Sequence, residues 1–353
     1  MKRVRRIREQ LSAHGADVFL CTNPVNRRYL TGFTGSAGTA WISADRQIIM
    51  TDFRYIEQVK AESPDWELVR IENLNETLKT LIDENDIGKI AFEADNVTVQ
   101  RLEQWKEKLE VEFIPVSGWV EELRSIKTEQ EIENIRQAAK IGDQAFAELL
   151  PKIRSGVSEI EIALELEFLM RRAGASGMSF SPIIASGPQS ALPHARPSER
   201  ILMYGDFVVF DFGCIVNGYC SDMTRTIVIG EPEEQHLLIY DLVLKAQLES
   251  LAAVAPGRKG SEIDAIARDI ITDAGYGEYF GHGLGHSLGL EIHESPRLSK
   301  ADHTVLQPGM VVTVEPGVYL PGFGGVRIED LVVVREDGHE VLTSTFKELY
   351  IVD

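Results

Sequence analysis

Two stretches of this chain repeat each other: RSGVSEIEIALELEFLMRRAG (154–174) is matched by PGRKGSEIDAIARDIITDAG (256–275). Each carries a glycine, then a serine-led cap, then a helix that closes on Ala-Gly. Further on, GDFVVFDFG (205–213) is matched by GMVVTVEPG (309–317), and in both an acid stands six residues after the first glycine: Asp211 and Glu315. A second acid follows each, Asp222 and Glu329, and a histidine precedes each, His194 and His293. A period near 100 residues is too long for a solenoid unit. The repeat instead predicts two related halves that face each other across a shared site.

The acids predict what that site holds. VVFDFGCIVNGYCSDMTRTIVI reads as a hairpin turned by Asn217-Gly218, a favoured pair for a two-residue type I′ loop. Counting outward sets Gly213 opposite Asp222 and makes Asp211 its diagonal neighbour, ~7–8 Å away and within reach of one shared cation. Two facing acids repel unless something positive lies between them, and the flanking VVF and TIVI look buried, where unpaired carboxylates are costly. The same counting puts Cys214 and Cys220 on opposite faces, unable to bond. Glu315 ends the apolar strand MVVTV, and Glu329 sits in GVRIEDLVVV with Arg327 two positions earlier on the same strand face. With one imidazole, the four acids make an oxygen-rich set that favours Mn²⁺ or a similar hard ion over structural zinc. Bridging carboxylates suit two metals sharing a water.

GHGLGHSLGLEIHESP (281–296) gathers three of the chain's eight histidines, His282, His286 and His293. A helical HExxH site is excluded, because the glutamate is missing and each of Gly281, Gly283 and Gly285 would cost a helix interior ~1 kcal/mol. An extended segment fits better, with 282, 284 and 286 on one face.

Upstream, ADVFLC, GTAWIS, RQIIMT, WELVRI, KIAFEA and VEFIPV read as strands, with ENLNETLKTLIDEN and VTVQRLEQWKEKL as helices between them, giving an α/β domain with a mixed sheet. A long amphipathic helix follows, opened by a Thr128/Glu131 capping box. We expect residues 1–122 to form the α/β accessory domain and 123–353 the domain that carries the duplication. The formal net charge of −19 argues against nucleic acid or an anionic membrane as partner. Val4, Ile7 and Leu11 make the basic N-terminus an ordinary amphipathic helix rather than a secretory signal. Three cysteines form no disulfide framework, which predicts a cytoplasmic protein.

The series Asp211, Asp222, His286, Glu315, Glu329 resembles the dinuclear site of the Xaa-Pro peptidases, prolidase and aminopeptidase P, of peptidase family M24. HARP (194–197), GHGLGHSLGLEIHE and EPGVY…GVRIED resemble that family's signatures, and NRRYLTGFTGS with DFRY (52–55) resembles its N-terminal domain. The resemblance implies a creatinase/prolidase-like N-terminal domain and a C-terminal pita-bread fold with a pseudo-twofold. It implies two divalent ions, Mn²⁺ foremost with Co²⁺, Zn²⁺ or Fe²⁺ as alternatives, and His286 as the one imidazole ligand. It further implies a metal-bridging hydroxide as nucleophile and His194, His282 and His293 as the histidines that contact substrate or move protons. Glu315 would carry a proton as well as bind metal, and Tyr319 and Arg327 would be substrate or supporting residues. Short peptides with proline in second position would be the substrates of a homodimer. A Xaa-Pro dipeptidase fits the compact chain, with the aminopeptidase as alternative.

Two readings compete. GHSLG (285–289) fits the G-x-S-x-G pattern of serine hydrolases through Ser287, with Asp330 and His339 following in suitable order, but the elbow needs a helix after the serine and Pro296 soon intervenes. A non-catalytic peptide- or protein-binding module would be expected to have lost the five polar positions, and all five are acidic or His.

Overall fold

The computed structural model describes residues 2–353, and the chain divides into two compact units, Met1–Arg124 and Ser125–Asp353. In the first, helix Lys2–His14 buries Val4, Ile7 and Leu11, the stripe read from the sequence. Its sheet has six strands: β1 Val18–Cys21, β2 Thr39–Ser43, β3 Gln47–Thr51, β4 Glu67–Arg70, β5 Lys89–Glu93 and β6 Glu112–Val116. The order is β4-β3-β2-β1-β5-β6. β2 runs antiparallel to β1 and β3, whereas the β1/β5, β5/β6 and β3/β4 pairs are parallel. Parallel neighbours need crossovers: helix Ile56–Glu62 joins β3 to β4 and helix Val99–Lys108 joins β5 to β6, while helix Leu74–Asn85 leads from β4 into β5. Trp41, Leu78 and Trp105 fill the core between sheet and helices.

The second unit opens with helix Glu129–Leu149, whose Thr128/Glu131 capping box is formed. The repeat is then visible in the backbone. Helices Glu159–Arg172 and Gly260–Asp273 are both 14 residues long. Each is preceded by a positive-φ glycine, Gly156 or Gly257, and followed by another, Gly174 or Gly275. Gly156 N–H donates to Leu202 O and Gly257 N–H to Leu306 O. Ser158 bridges Ile201 as Lys259 bridges Val305. One detail differs from the sequence reading: the second helix is capped at Lys259, not at Ser261, which lies in its first turn. The left-handed glycine sets the turn, so the backbone aligns Ser158 with Lys259 rather than serine with serine.

Each half builds a sheet whose strands are mainly antiparallel. The first comprises Ile183–Ser186, Phe207–Phe212 and Met223–Ile229, with the last strand Tyr350–Val352 added parallel to Met223–Ile229; the second comprises Gly285–Ser287, Glu294–Leu298, Val311–Val314, Asp330–Arg335 and Gly338–Val341. Each has its own core, one around Phe146, Leu166 and Phe210 and the other around Tyr240, Ile263 and Val312. Leu166 is fully buried, so cutting it to alanine would cost about 2–5 kcal/mol.

The hairpin has the register counted from its turn. Val216 pairs with Tyr219 and Ile215 with Cys220, and the ladder resumes at Phe212 with Met223 and Asp211 with Thr224. Asn217 and Gly218 have φ of 50° and 85°, as a type I′ turn requires. Gly213 is obligatory, because a Cβ there would lie 1.8 Å from the Ser221 carbonyl oxygen. All three cysteines are buried, and none forms a disulfide. Among the described residues, no helix is long and apolar enough to cross a membrane.

Candidate metal centre

A cavity of about 600 Å³ opens in the second unit, and the five candidate ligands Asp211, Asp222, His286, Glu315 and Glu329 all line it. Asp211 comes from the strand Phe207–Phe212, and Asp222 stands just before Met223–Ile229. Glu315 follows Val311–Val314, its N–H held by Leu284 O at 2.8 Å. His194, His282, His293 and Arg327 also reach the cavity wall.

Two local expectations are corrected. The extended segment of the glycine-rich stretch is only Gly285–Ser287, so His282 reaches the cavity from irregular chain rather than from a shared strand face. Arg327 and Glu329 do not share a strand: one strand ends at Arg327 and the next begins at Asp330. The chain breaks there because Glu329 N–H bonds Thr224 O, in the other half, at 3.1 Å. Tyr319, expected as a substrate or supporting residue, does not line the wall. It is buried behind it, with its hydroxyl 2.8 Å from His282 Nε2 and 2.6 Å from Arg327 Nη1.

Proton accounting along this chain fixes its members. Arg327 only donates, so Tyr319 accepts from it and gives its own proton to His282 Nε2. His282 Nδ1 must then carry the hydrogen that points at Gly283 O, 2.7 Å away. Both ring nitrogens of His282 are thereby engaged. Burial, then Arg327, lowers its pKa to about 4, so the ring is neutral.

His286 is likewise held in one tautomer. Its Nδ1 lies 3.1 Å from Ser287 O, so Nδ1 is the donor and Nε2 carries a lone pair. That lone pair faces Asp222 Oδ2 at 3.6 Å and Glu315 Oε1 at 3.4 Å. These distances would suit ion pairs only if the imidazole were charged. Burial, then the neighbouring His293, lowers its pKa to about 4, so it is neutral near pH 7 and the contacts are not ion pairs.

Three of the four carboxylates have one oxygen committed to the protein. Arg327 Nη2 binds Asp211 Oδ2 at 2.6 Å, and Thr224 Oγ1 donates to Glu329 Oε2 at 2.6 Å. Thr313 Oγ1 donates to Glu315 Oε1 at 3.1 Å. Asp211 Oδ1, Asp222 Oδ1 and Glu329 Oε1 are buried with no hydrogen-bond partner among the described residues. Such atoms are rare and costly. Burial first, then the other carboxylates, raises the pKa of Asp222 and Glu329 well above the usual range. Burial pushes Glu315 up to about 8. An imidazole lone pair and three unpartnered carboxylate oxygens around one space fit a cation. Ligand atoms of Asp222, His286 and Glu329 lie within 4.8 Å of one another, close enough to share an ion.

The serine-hydrolase elbow is not built. Ser287 is fully buried, accepts from Lys127 Nζ at 3.1 Å and precedes no helix. Asp330 is held by Arg225, Lys347 and Gln247, and His339 Nδ1 contacts Val254 O. Sequence reasoning missed Thr224 and Thr313, which orient two of the acids, and Arg196 and Arg297 on the cavity wall. The register pairs Arg297 with His286 across the strands, a contact no local pattern announces.

With fold and site defined, comparison with known proteins places the chain. It belongs to metallopeptidase family M24, whose model matches residues 133–336, and the creatinase/prolidase N-terminal domain matches residues 3–126. The chain is 40% identical over 352 residues to a Xaa-Pro dipeptidase of Pyrococcus furiosus, spanning 99% of both chains. The structure of a Xaa-Pro dipeptidase from Bacillus anthracis superposes with a TM-score of 0.98 at 49% identity, covering 100% of this chain and 99% of that one. An X-Pro aminopeptidase from Thermotoga maritima gives 0.92 at 38% identity over 99% of each. The protein is thus a hydrolase of the metallopeptidase class, and that family implies divalent metal ions.

Proposed function

We propose that this chain hydrolyses Xaa-Pro dipeptides at a pair of divalent ions, Mn²⁺ first among them, held by Asp211, Asp222, His286, Glu315 and Glu329. The three buried, unpartnered carboxylate oxygens carry this reading. Ions held there would acidify water to a nucleophile near neutral pH and polarise the scissile carbonyl. The protein's own groups do the rest. Arg327 and Thr224 each occupy one oxygen of an acid and leave the other for the cations. Glu315, whose pKa stands near neutrality without a cation, is the group suited to pass a proton to the departing proline nitrogen.

His194 and His293 reach the cavity with no hydrogen bond to either ring nitrogen among the described residues, so they are free to meet the peptide. His282, with both nitrogens engaged, enters this reading as the anchor of Tyr319, and Tyr319 as the anchor of Arg327. Arg196 and Arg297 supply guanidinium groups on the wall suited to a dipeptide's terminal carboxylate. That favours the dipeptidase. The likeness to the Thermotoga maritima X-Pro aminopeptidase keeps the alternative alive: cleavage of longer peptides. Three buried cysteines outside any disulfide support a reducing, cytoplasmic setting, and a homodimer is part of the proposal.

The test is hydrolysis of Ala-Pro and Ala-Pro-Ala by protein stripped with chelator and reconstituted with Mn²⁺. Metal-dependent cleavage of Ala-Pro is expected. Preference for Ala-Pro-Ala would select the aminopeptidase, and undiminished cleavage in chelator would refute the metal reading.

A further inference from the structure

His194 and His293 stand at corresponding places in the two repeats, yet their segments are secured differently. The segment of His293 is tied into a ladder, Gly285–Ser287 against Glu294–Leu298. His194 lies in 187–197, which joins no strand after the short helical turn Gly187–Ala191. Within it, Gly325 N–H bonds Ser190 Oγ at 2.8 Å, and Arg327 Nη1 reaches Pro193 O at a long 3.4 Å.

What closes the segment is one carboxylate. Glu159, the first residue of helix Glu159–Arg172, is 0% exposed. Its Oε1 accepts from Ser186 N–H at 2.7 Å and Ser186 Oγ at 2.6 Å. Its Oε2 accepts from Ser198 N–H at 3.0 Å and Ser198 Oγ at 2.6 Å. Ser186 and Ser198 flank the segment, so a single side chain pins both ends. Arg200 braces the arrangement: its Nη1 donates to Ser186 Oγ, its backbone N–H to Ser198 Oγ, and its guanidinium pairs with Asp206.

The duplication shows that the helix does not need this carboxylate. The aligned residue of the other half is Gly260, where a Cβ would meet Arg297 O at 2.2 Å, and that helix starts in the same way with no side chain at all. A fully buried carboxylate is costly unless every lone pair is answered. Here it is answered only by donors at the two ends of the His194 segment.

We infer that Glu159 is a positioning residue that closes the 187–197 segment and fixes where His194 enters the cavity. The inference rests on the reading in which His194 contacts the peptide, and the experiment separates the two. Glu159→Gln keeps the shape but replaces one acceptor by an amide that faces N–H and O–H donors. In the Mn²⁺-loaded protein, Glu159→Gln is expected to lower kcat for Ala-Pro by about tenfold to a hundredfold, the cost of a misplacement near 1 Å. Metal content and KM should stay within about twofold. Hydrogen exchange should rise in 187–197 while helix Glu159–Arg172 remains protected.

The deciding measurement is the double variant. Glu159→Gln with His194→Ala should be no slower than His194→Ala alone, whereas a merely structural role would multiply the two losses. Multiplied losses, or an unchanged kcat in Glu159→Gln, overturn the inference while leaving His194 in place. An unchanged kcat in His194→Ala overturns the reading beneath it, and the inference with it. Should Glu159→Gln not fold, Ser198→Ala removes one donor at the far end. A several-fold loss that vanishes on the His194→Ala background then supports the inference, and a loss that persists there overturns it.

Discussion

Removing divalent ions should make the catalytic unit less stable as the pH rises, the reverse of ordinary acid denaturation. Without a cation, Asp222 and Glu329 have pKa values raised by burial and then by neighbouring carboxylates, and burial puts Glu315 at about 8. In the unfolded chain these groups titrate near 4. Between those limits the folded, metal-free protein binds more protons than the unfolded chain, so its stability falls as the pH climbs. Each retained proton is worth about 1.4 kcal/mol per pH unit, which for a unit of this size is roughly 3–6 °C of Tm. From about pH 5.5 to pH 7.5 a single retained proton therefore costs about 3 kcal/mol, and three coupled groups cost more. With Mn²⁺ bound the ligands are already deprotonated and this slope disappears. The assay is calorimetric unfolding of chelator-treated and Mn²⁺-loaded protein across that window at constant ionic strength. Comparing the two forms cancels the titration of groups elsewhere. The gap in Tm should widen with pH, and Mn²⁺ titrated at pH 7 should release about one proton or more, read in two buffers of different ionisation enthalpy. A gap that is constant or narrows, or binding without proton release, would refute the assignment of these acids.

His286→Ala should lose tightly held metal, measured by elemental analysis after gel filtration, together with activity, while His282→Ala keeps metal but loses turnover. Full metal and full rate in the first variant would remove His286 from the site. Arg297→Ala should raise KM for Ala-Pro roughly 10–100-fold, the loss of a charge-assisted hydrogen bond, and barely alter KM for Ala-Pro amide. Equal effects on both would detach Arg297 from the carboxylate. Ser287→Ala should retain metal-dependent hydrolysis and the wild-type protein should ignore serine-directed phosphonates; loss of activity in either experiment would revive the serine mechanism.

Much of the site could be read from sequence because its geometry is local. Asn217-Gly218 fixes a turn, the turn fixes a register, and the register carries outward to Gly213 and Asp222 without further information. The repeat was legible for a similar reason, since a glycine of positive φ stands the same distance before each helix. Long-range contacts were hidden. Nothing near Thr224 announces that it will hold Glu329, and nothing near Glu329 announces the break that Thr224 O imposes. The strand reading of GVRIEDLVVV failed there because a bond from the other half outweighed a continuous apolar pattern. His282 shows the same limit, since its ring is committed by Tyr319, far along the chain.

The duplication also explains how so acidic a centre can be preformed. Two acids from each half meet at one space, but the halves stabilise them unequally. Arg327, from the second half, neutralises Asp211 of the first, and Thr224, from the first, donates to Glu329 of the second. Each half thus orients an acid of the other, so the site exists only when both are folded and docked. One oxygen of Asp211 and one of Glu329 is fixed in advance by these bonds, which lowers the entropy lost when a cation arrives. The remaining oxygens stay unsatisfied, and their mutual repulsion is the free energy that cation binding relieves. A Thr224→Val change would test this division of labour. It keeps the shape and burial of the side chain but leaves Glu329 unoriented, and second-layer losses of this kind typically weaken metal binding by about 10–100-fold. Calorimetric titration with Mn²⁺ would measure it, and unchanged affinity would mean that the carboxylates find their ions without help from the opposite half.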